Sequence, residues 1–305
     1  MTRAVVVWQW TDGKRGHERQ CEGLVAALER RIAVDHHVLP IASSALRRGW
    51  DFLAGTLAAG RGLPDPDLII GAGRRCGWPL LAARRARGGH TVCIMRPQLP
   101  RRCFDLCIIP RHDGVPPSTN VIVSEGPLNP MRPAAARETD LGVILLGGPS
   151  AHYDWHDEPM LAQIAQLRAH TPGMRWFVSD SRRSPPTLAA RLAALPDLEF
   201  IDHRHAPNDW LPTLLARAAQ AWVSADSVSM IYEALSAGAN VGVLAVPTRG
   251  ADRITAMVQD LSARGHVMSL SDAGRGAARS PRLLQEAERV AGLILARWPA
   301  LGAAA

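Results

Sequence analysis

The sequence predicts an α/β protein of two Rossmann-like domains facing each other across a cleft. Three observations predict it. Short apolar runs alternate with stretches of helical period, the β-α-β rhythm of a doubly wound parallel sheet. The rhythm lapses once, over residues 129–138, where Pro130 and Pro133 interrupt and no apolar period survives. At 305 residues the chain is long for one core, so the lapse divides it into 1–138 and 139–305. The polar, glycine-bearing turns fall where strands end, the edge at which such sheets take ligands.

In the first half, residues 4–8 read as a strand and 18–30 as a helix with Leu24, Ala27 and Leu28 inward. Residues 32–39 and 67–70 are strands, 74–85 a helix, and 91–95, 106–109 and 121–123 shorter strands. The second half runs strand 141–146, helix 158–170, strand 176–179, helix 186–195, strand 199–201 and helix 210–218. Its most informative stretch follows. The apolar residues 221–223 end a strand, and Asp226 or Ser227 is placed to cap a helix. Val228, Ile231 and Leu235 have the spacing of its buried stripe, and Gly238 suits a left-handed C-cap. Residues 240–246 then read as a buried parallel strand. Helix 253–264, strand 267–269 and helix 282–298 complete the chain.

The net charge is +7 and the isoelectric point about 9.9, a balance often associated with nucleic acid or anionic membranes. Lys14 is the only lysine, however, so arginine carries nearly all the positive charge. With abundant alanine, that reads as compositional bias rather than a basic patch, and no nucleic-acid motif is present. Cys21, Cys76, Cys93, Cys103 and Cys107 are odd in number and lack a C-x-x-C spacing, as expected of reduced cytosolic thiols. The apolar N-terminal run is too short for a signal peptide, and no run is long enough to span a bilayer. The expected location is therefore cytoplasmic.

Five turns carry chemistry. In Thr11-Asp12-Gly13-Lys14-Arg15-Gly16-His17, two glycines admit close backbone approach, a helix start favours anions, and His17 can exchange a proton near neutral pH. Gly71-Ala72-Gly73-Arg74-Arg75 resembles half of a dinucleotide fingerprint but lacks its third glycine and its acidic residue, so it reads as a polar strand-end turn. Gly147-Gly148-Pro149-Ser150 suits either a phosphate-approaching loop or a plain tight turn. Ser181-Arg182-Arg183-Ser184 places arginines beside hydroxyls at a helix start, as a diphosphate requires. In the 223–238 stretch, Ser227 and Ser229 can meet a phosphate, and Glu233, one turn on, can accept from two ribose hydroxyls. The alternative is that both serines cap the helix and Glu233 is solvated.

No metal or cofactor is expected. His152 and His156 lie in a segment without a helical stripe, His36 and His37 diverge across a strand, and His203 and His205 lack a third ligand. Neither a G-x-S-x-G elbow nor a P-loop occurs.

Taken together the motifs resemble a family. Thr11-Asp12-Gly13-Lys14-x-Gly16-His17-x-x-Gln20-x-x-Gly23-Leu24, Gly71-x-Gly73-Arg74-Arg75, Pro110-Arg111-His112-Asp113, Gly147-Gly148, Ser181-Arg182-Arg183-Ser184-Pro185 and Ala225-Asp226-Ser227-Val228-Ser229-Met230-x-x-Glu233-Ala234 are similar, in order, to the plant mitochondrial fission factor ("elongated mitochondria") family and its bacterial relatives. Ser184 stands where threonine is expected, and Asn240 where many relatives have proline. That family in turn resembles GT-B glycosyltransferases, in which a glycine-rich turn ending in histidine opens the acceptor domain. A serine-rich turn before a helix with a Glu-Ala pair binds the nucleotide sugar. The resemblance implies an inverting, metal-independent transferase using a nucleoside-diphosphate sugar, UDP by default. His17 would be the general base, with Asp12 or Asp113 orienting it. The acceptor side would comprise Asp12, Gly13, Lys14, Gly16, Gly71, Gly73, Arg74 and Arg75. Gly147, Gly148, Ser181, Arg182, Arg183, Asp226, Ser227, Ser229 and Glu233 would bind the nucleotide sugar. The rival implications are an interaction protein, since the plant relatives recruit a dynamin-related protein, and a nucleotide-sugar 2-epimerase.

Residues 44–57 read as a short helix with Leu46, Trp50, Leu53 and Leu57 on one face beside Arg47 and Arg48. It is either a buried domain helix or a surface that docks at the inner membrane beside a lipid-linked acceptor.

Overall fold

Two parallel sheets of six strands each organise the chain in a computed structural model that describes residues 3–41, 58–207, 209–250, 253–274 and 283–303. The first contains β1 (Val5–Thr11), β2 (Val34–Pro40), β3 (Leu68–Ala72), β4 (His90–Ile94), β5 (Leu106–Pro110) and β6 (Val121–Ser124), in the order β2-β1-β3-β4-β5-β6. The second contains β7 (Glu138–Leu145), β8 (Arg175–Ser179), β9 (Leu198–Ile201), β10 (Ala218–Ser224), β11 (Asn240–Leu244) and β12 (Met268–Ser269), in the order β12-β11-β10-β7-β8-β9. Every pairing within both sheets is parallel. Helices therefore cover both faces of each sheet, and β3, with all five residues buried, shows why parallel strands read as unbroken apolar runs.

Each sheet has one switch point, where the chain stops adding strands on one side and starts on the other. In the first it lies between β1 and β3, and in the second between β7 and β10. Loops leaving the two strands there diverge to opposite faces and open a crevice at the carboxyl edge.

In the first unit, α1 (Arg15–Glu29) buries Cys21, Leu24, Val25 and Leu28 against β1 and β3, and α2 (Gly77–Arg87) covers the other face through Leu80 and Ala83. In the second, α3 (Asp157–His170), α4 (Pro186–Ala193), α5 (Trp210–Arg217), α6 (Val228–Ala237), α7 (Arg253–Ala263) and α8 (Leu270–Gly274) surround the sheet. Gly238 ends α6 at φ +80, the left-handed cap expected of it.

The chain crosses between compact units twice. One unit is Met1–Pro130 together with Gln285–Ala305, and the other is Met131–Leu284. The sequence reading divides the chain at 138 and keeps everything after it in the second half. The structure corrects both points. β7 begins at Glu138, and Met131 already packs into the second core. The C-terminal helices α9 (Glu286–Arg297) and α10 (Pro299–Ala303) return to the first unit, where Ala287, Val290, Ala291 and Ile294 join Leu24 and Leu28 in one apolar cluster. The helix expected at 74–85 is split into a 3-10 turn, Arg74–Cys76, followed by α2. Residues 44–57, read as a membrane-facing or buried helix, lie outside the described residues. Among the described residues, no helix is long and apolar enough to cross a membrane.

Candidate functional site

The switch point of the first unit holds an acid–base pair. β1 ends at Thr11, and the turn Asp12–Lys14 leads directly into α1, whose third residue is His17. The His17 Nδ1 lies 3.0 Å from Asp12 Oδ1 and 3.2 Å from Oδ2, and the Asp12 side chain is 1% exposed. A carboxylate can only accept, so Nδ1 is the donor in this pair, and in a neutral ring the lone pair would be on Nε2. From the neighbouring strand β3, Gly73 supplies the surface on which the ring lies. It holds φ +86, and a Cβ there would stand 2.4 Å from His17 Cε1. Only glycine meets both demands. The turn is tied further by Thr11, whose Oγ1 donates to Glu18 and accepts from the Gly13 N–H.

Around this pair the predicted residues divide. Gly13 and Gly16 have open space where a side chain would stand, as a ligand-approaching turn requires. Gly71 does not: a Cβ there would meet Leu80 at 2.7 Å and Cys76 at 2.9 Å, so it serves helix packing, contrary to the acceptor-side reading. Arg74 and Arg75 stand exposed in the 3-10 turn after Gly73. Cys76 is buried beneath, donating to the Ala72 carbonyl. Burial, then the nearby Asp12 carboxylate, push its thiol up to about 12, which leaves it inert rather than nucleophilic. Asp113 follows β5, three strands from β1, with His112 Nε2 3.9 Å from its Oδ1. The carboxylate that orients His17 is Asp12.

The second switch point is a hydrogen-bonded network in which the buried Asp226 Oδ1 has no hydrogen-bond partner among the described residues. The Gly147 N–H donates to Ser224 Oγ at 2.8 Å and the Gly148 N–H to Asp226 Oδ2 at 2.9 Å. Arg183 Nη2 pairs with that same Oδ2 at 2.7 Å, and its Nη1 donates to the Gly148 carbonyl at 3.0 Å. Ser181 and Ser184 both donate to the Gly147 carbonyl. A Cβ on Gly147 would collide with Asp226 Oδ2 at 1.9 Å. The sequence reading gives Gly147, Gly148, Ser181, Arg183 and Asp226 to a bound diphosphate. The structure engages them with one another, because the Asp226 side chain is 0% exposed and a buried carboxylate needs donors at hand. What remains outward is Arg182, exposed, and Ser229, exposed in the first turn of α6; Ser227 before it is buried and makes no side-chain capping bond. Glu233 follows one turn later, half-buried.

Two features escaped the sequence. Asp180, Asp202 and His203 bring one ligand atom each within 4.8 Å, supplying partners for the histidine that seemed to lack them. Arg204 already engages both Asp202 oxygens, at 3.0 and 2.5 Å, and holds that carboxyl well below the usual carboxylate range. Met95, just past β4, holds φ +72, uncommon for a residue with a side chain.

Two Rossmann-like units, each with polar side chains gathered at its switch point, define the GT-B type of architecture. Consistent with this, the chain matches the model of the mitochondrial fission ELM1 family over residues 15–298, and it belongs to that family. Solved structures share the fold at low identity. A Listeria monocytogenes protein assigned as a UDP-N-acetylglucosamine 2-epimerase aligns with a TM-score of 0.61 and 12% identity, over 98% of each chain. The UDP-GlcNAc 2-epimerase of Neisseria meningitidis, solved with UDP-GlcNAc, aligns at 0.52 and 12%, over 97% of this chain and 100% of that one. The kitacinnamycin glycosyltransferase aligns at 0.52 and 15%, with the same coverage. A search of curated protein sequences returns no match.

Proposed function

We propose that the protein is an inverting glycosyltransferase that moves a sugar from a nucleoside diphosphate, UDP by default, onto an acceptor hydroxyl. The observation that carries the reading is the Asp12–His17 pair, a base with its orienting carboxylate at the first switch point. His17 Nε2 takes the acceptor proton while the acceptor oxygen attacks the anomeric carbon. The bond from that carbon to the diphosphate breaks, and its electron pair leaves on the phosphate oxygen. Arg182 and the N-terminus of α6, with Ser227 and Ser229, stabilise that charge, and Glu233 accepts from the ribose. Gly147, Gly148, Arg183 and Asp226 form the floor beneath. This chemistry needs no metal ion.

A second reading has its own support, since two of the structures sharing the fold are assigned as 2-epimerases. One incubation separates them. With UDP-GlcNAc and a candidate acceptor, a transferase releases UDP, whereas an epimerase yields the C2 epimer with the diphosphate bond intact. Under the transferase reading, His17→Ala should lower turnover about a hundredfold or more, within the usual worth of a general base. UDP binding by calorimetry should stay unchanged. Full turnover in His17→Ala rejects the base assignment. Absence of any nucleotide binding would leave the interaction-protein reading of the family.

A further inference from the structure

The carboxyl edge of the first sheet carries unneutralised positive charge beside the Asp12–His17 pair. Lys14 follows β1, Arg74 and Arg75 follow β3, and Arg96 follows β4. The register places these loops side by side: Trp10 pairs with Gly71, Ala72 with Ile94, and the Gly73 N–H donates to the Ile94 carbonyl at 3.0 Å. All four cations are exposed, and none has a carboxylate partner among the described residues. Other arginines of this unit do have carboxylate partners: Arg3 pairs with Asp67, Arg30 with Glu288, Arg84 with Asp105 and Arg111 with Glu125. The nearby carboxylates are engaged, Asp12 by His17 and Glu18 by Thr11. Arg96 is delivered by the turn at Met95, whose positive φ marks backbone held in a disfavoured conformation at this one edge.

We infer that the acceptor handled by the first unit carries a phosphate or diphosphate ester next to the hydroxyl that is glycosylated, an inference that rests on the transferase reading above. Several guanidinium groups on adjacent loops present more donors than a single carboxylate can accept, and their forks match phosphate oxygens. The bound ester holds the acceptor hydroxyl at His17 Nε2. The charge therefore selects the substrate, whereas the compositional reading of the sequence had dismissed it.

The test uses the full chain with UDP first titrated alone and then held at saturation, so that any diphosphate site in the second unit is filled. Inorganic pyrophosphate is next titrated by calorimetry. It should bind the parent, and Arg74→Ser with Arg96→Ser should weaken it about tenfold or more, the worth of lost charge-assisted hydrogen bonds. Arg61→Ser, an exposed arginine on the loop entering β3 at the opposite edge, should leave binding unchanged. Flotation with phosphatidylcholine vesicles carrying phosphatidic acid is the second arm. Arginine-dependent binding to vesicles as well as pyrophosphate assigns a lipid-borne ester, and binding to pyrophosphate alone assigns a soluble one. Equal loss in Arg61→Ser, or no binding of either probe with UDP in place, overturns the proposal. If UDP fails to bind while pyrophosphate binds through Arg74 and Arg96, the phosphate site stands and the transferase reading fails.

Discussion

At the scale of single residues, the site depends on the fit between one ring and one missing side chain. His17 lies on Gly73, and the 2.4 Å that a Cβ would leave can be relieved only by moving the imidazole itself. Gly73→Ala should therefore displace the base and strain a backbone at φ +86. The expected result is turnover reduced about as far as in His17→Ala, roughly a hundredfold. UDP affinity should be retained, because that ligand is assigned to the other unit. Steady-state kinetics beside a UDP titration check it, and wild-type turnover would show that the ring is not held there in the working enzyme.

At the scale of elements, adjacent arginines on the loop between β8 and α4 do different jobs. Arg183 closes three loops onto the buried Asp226, whereas Arg182 is exposed and has no carboxylate partner among the described residues. Replacing Arg183 by methionine leaves a buried carboxylate with fewer donors and should cost about 1.5–3 kcal/mol of stability. Replacing Arg182 by methionine should leave the melting temperature within experimental error and weaken UDP binding about tenfold. Thermal melts and calorimetry on the two variants give opposite patterns if the division holds. Similar patterns in both would merge the two roles.

At the scale of the whole molecule, the C-terminal return makes the first unit discontinuous in sequence. Ile294 is fully buried in the cluster formed with α1, so Ile294→Ala should cost about 2–5 kcal/mol, all of it in the first unit. Two units with separate cores are not bound to melt as one. Denaturant unfolding followed by hydrogen exchange should show protection falling in Val5–Thr11 and Arg15–Glu29 while Ala218–Ser224 is unaffected. Loss of protection in both units together would show that they unfold as one.

The alternation of apolar runs and helical stretches was enough to read two parallel sheets, because strands buried on both faces leave an unmistakable local record. The polar turns proposed for the site are legible in the same way, since glycine, serine and histidine at strand ends follow from short-range geometry. The match to the mitochondrial fission ELM1 family agrees with that reading. What required the tertiary structure was every relation between distant positions. The helix beginning at Glu286 has the same local pattern whichever core it joins, and only packing sends it back to α1. Asp12 and Asp113 were equal candidates to orient His17 until strand order put them three strands apart. Gly147 and Gly148 read as open phosphate donors because nothing local reveals that Asp226, far along the chain, already accepts from one of them. Periodicity is a short-range property of the chain, whereas the pairing of a buried charge is decided by whatever the fold brings beside it.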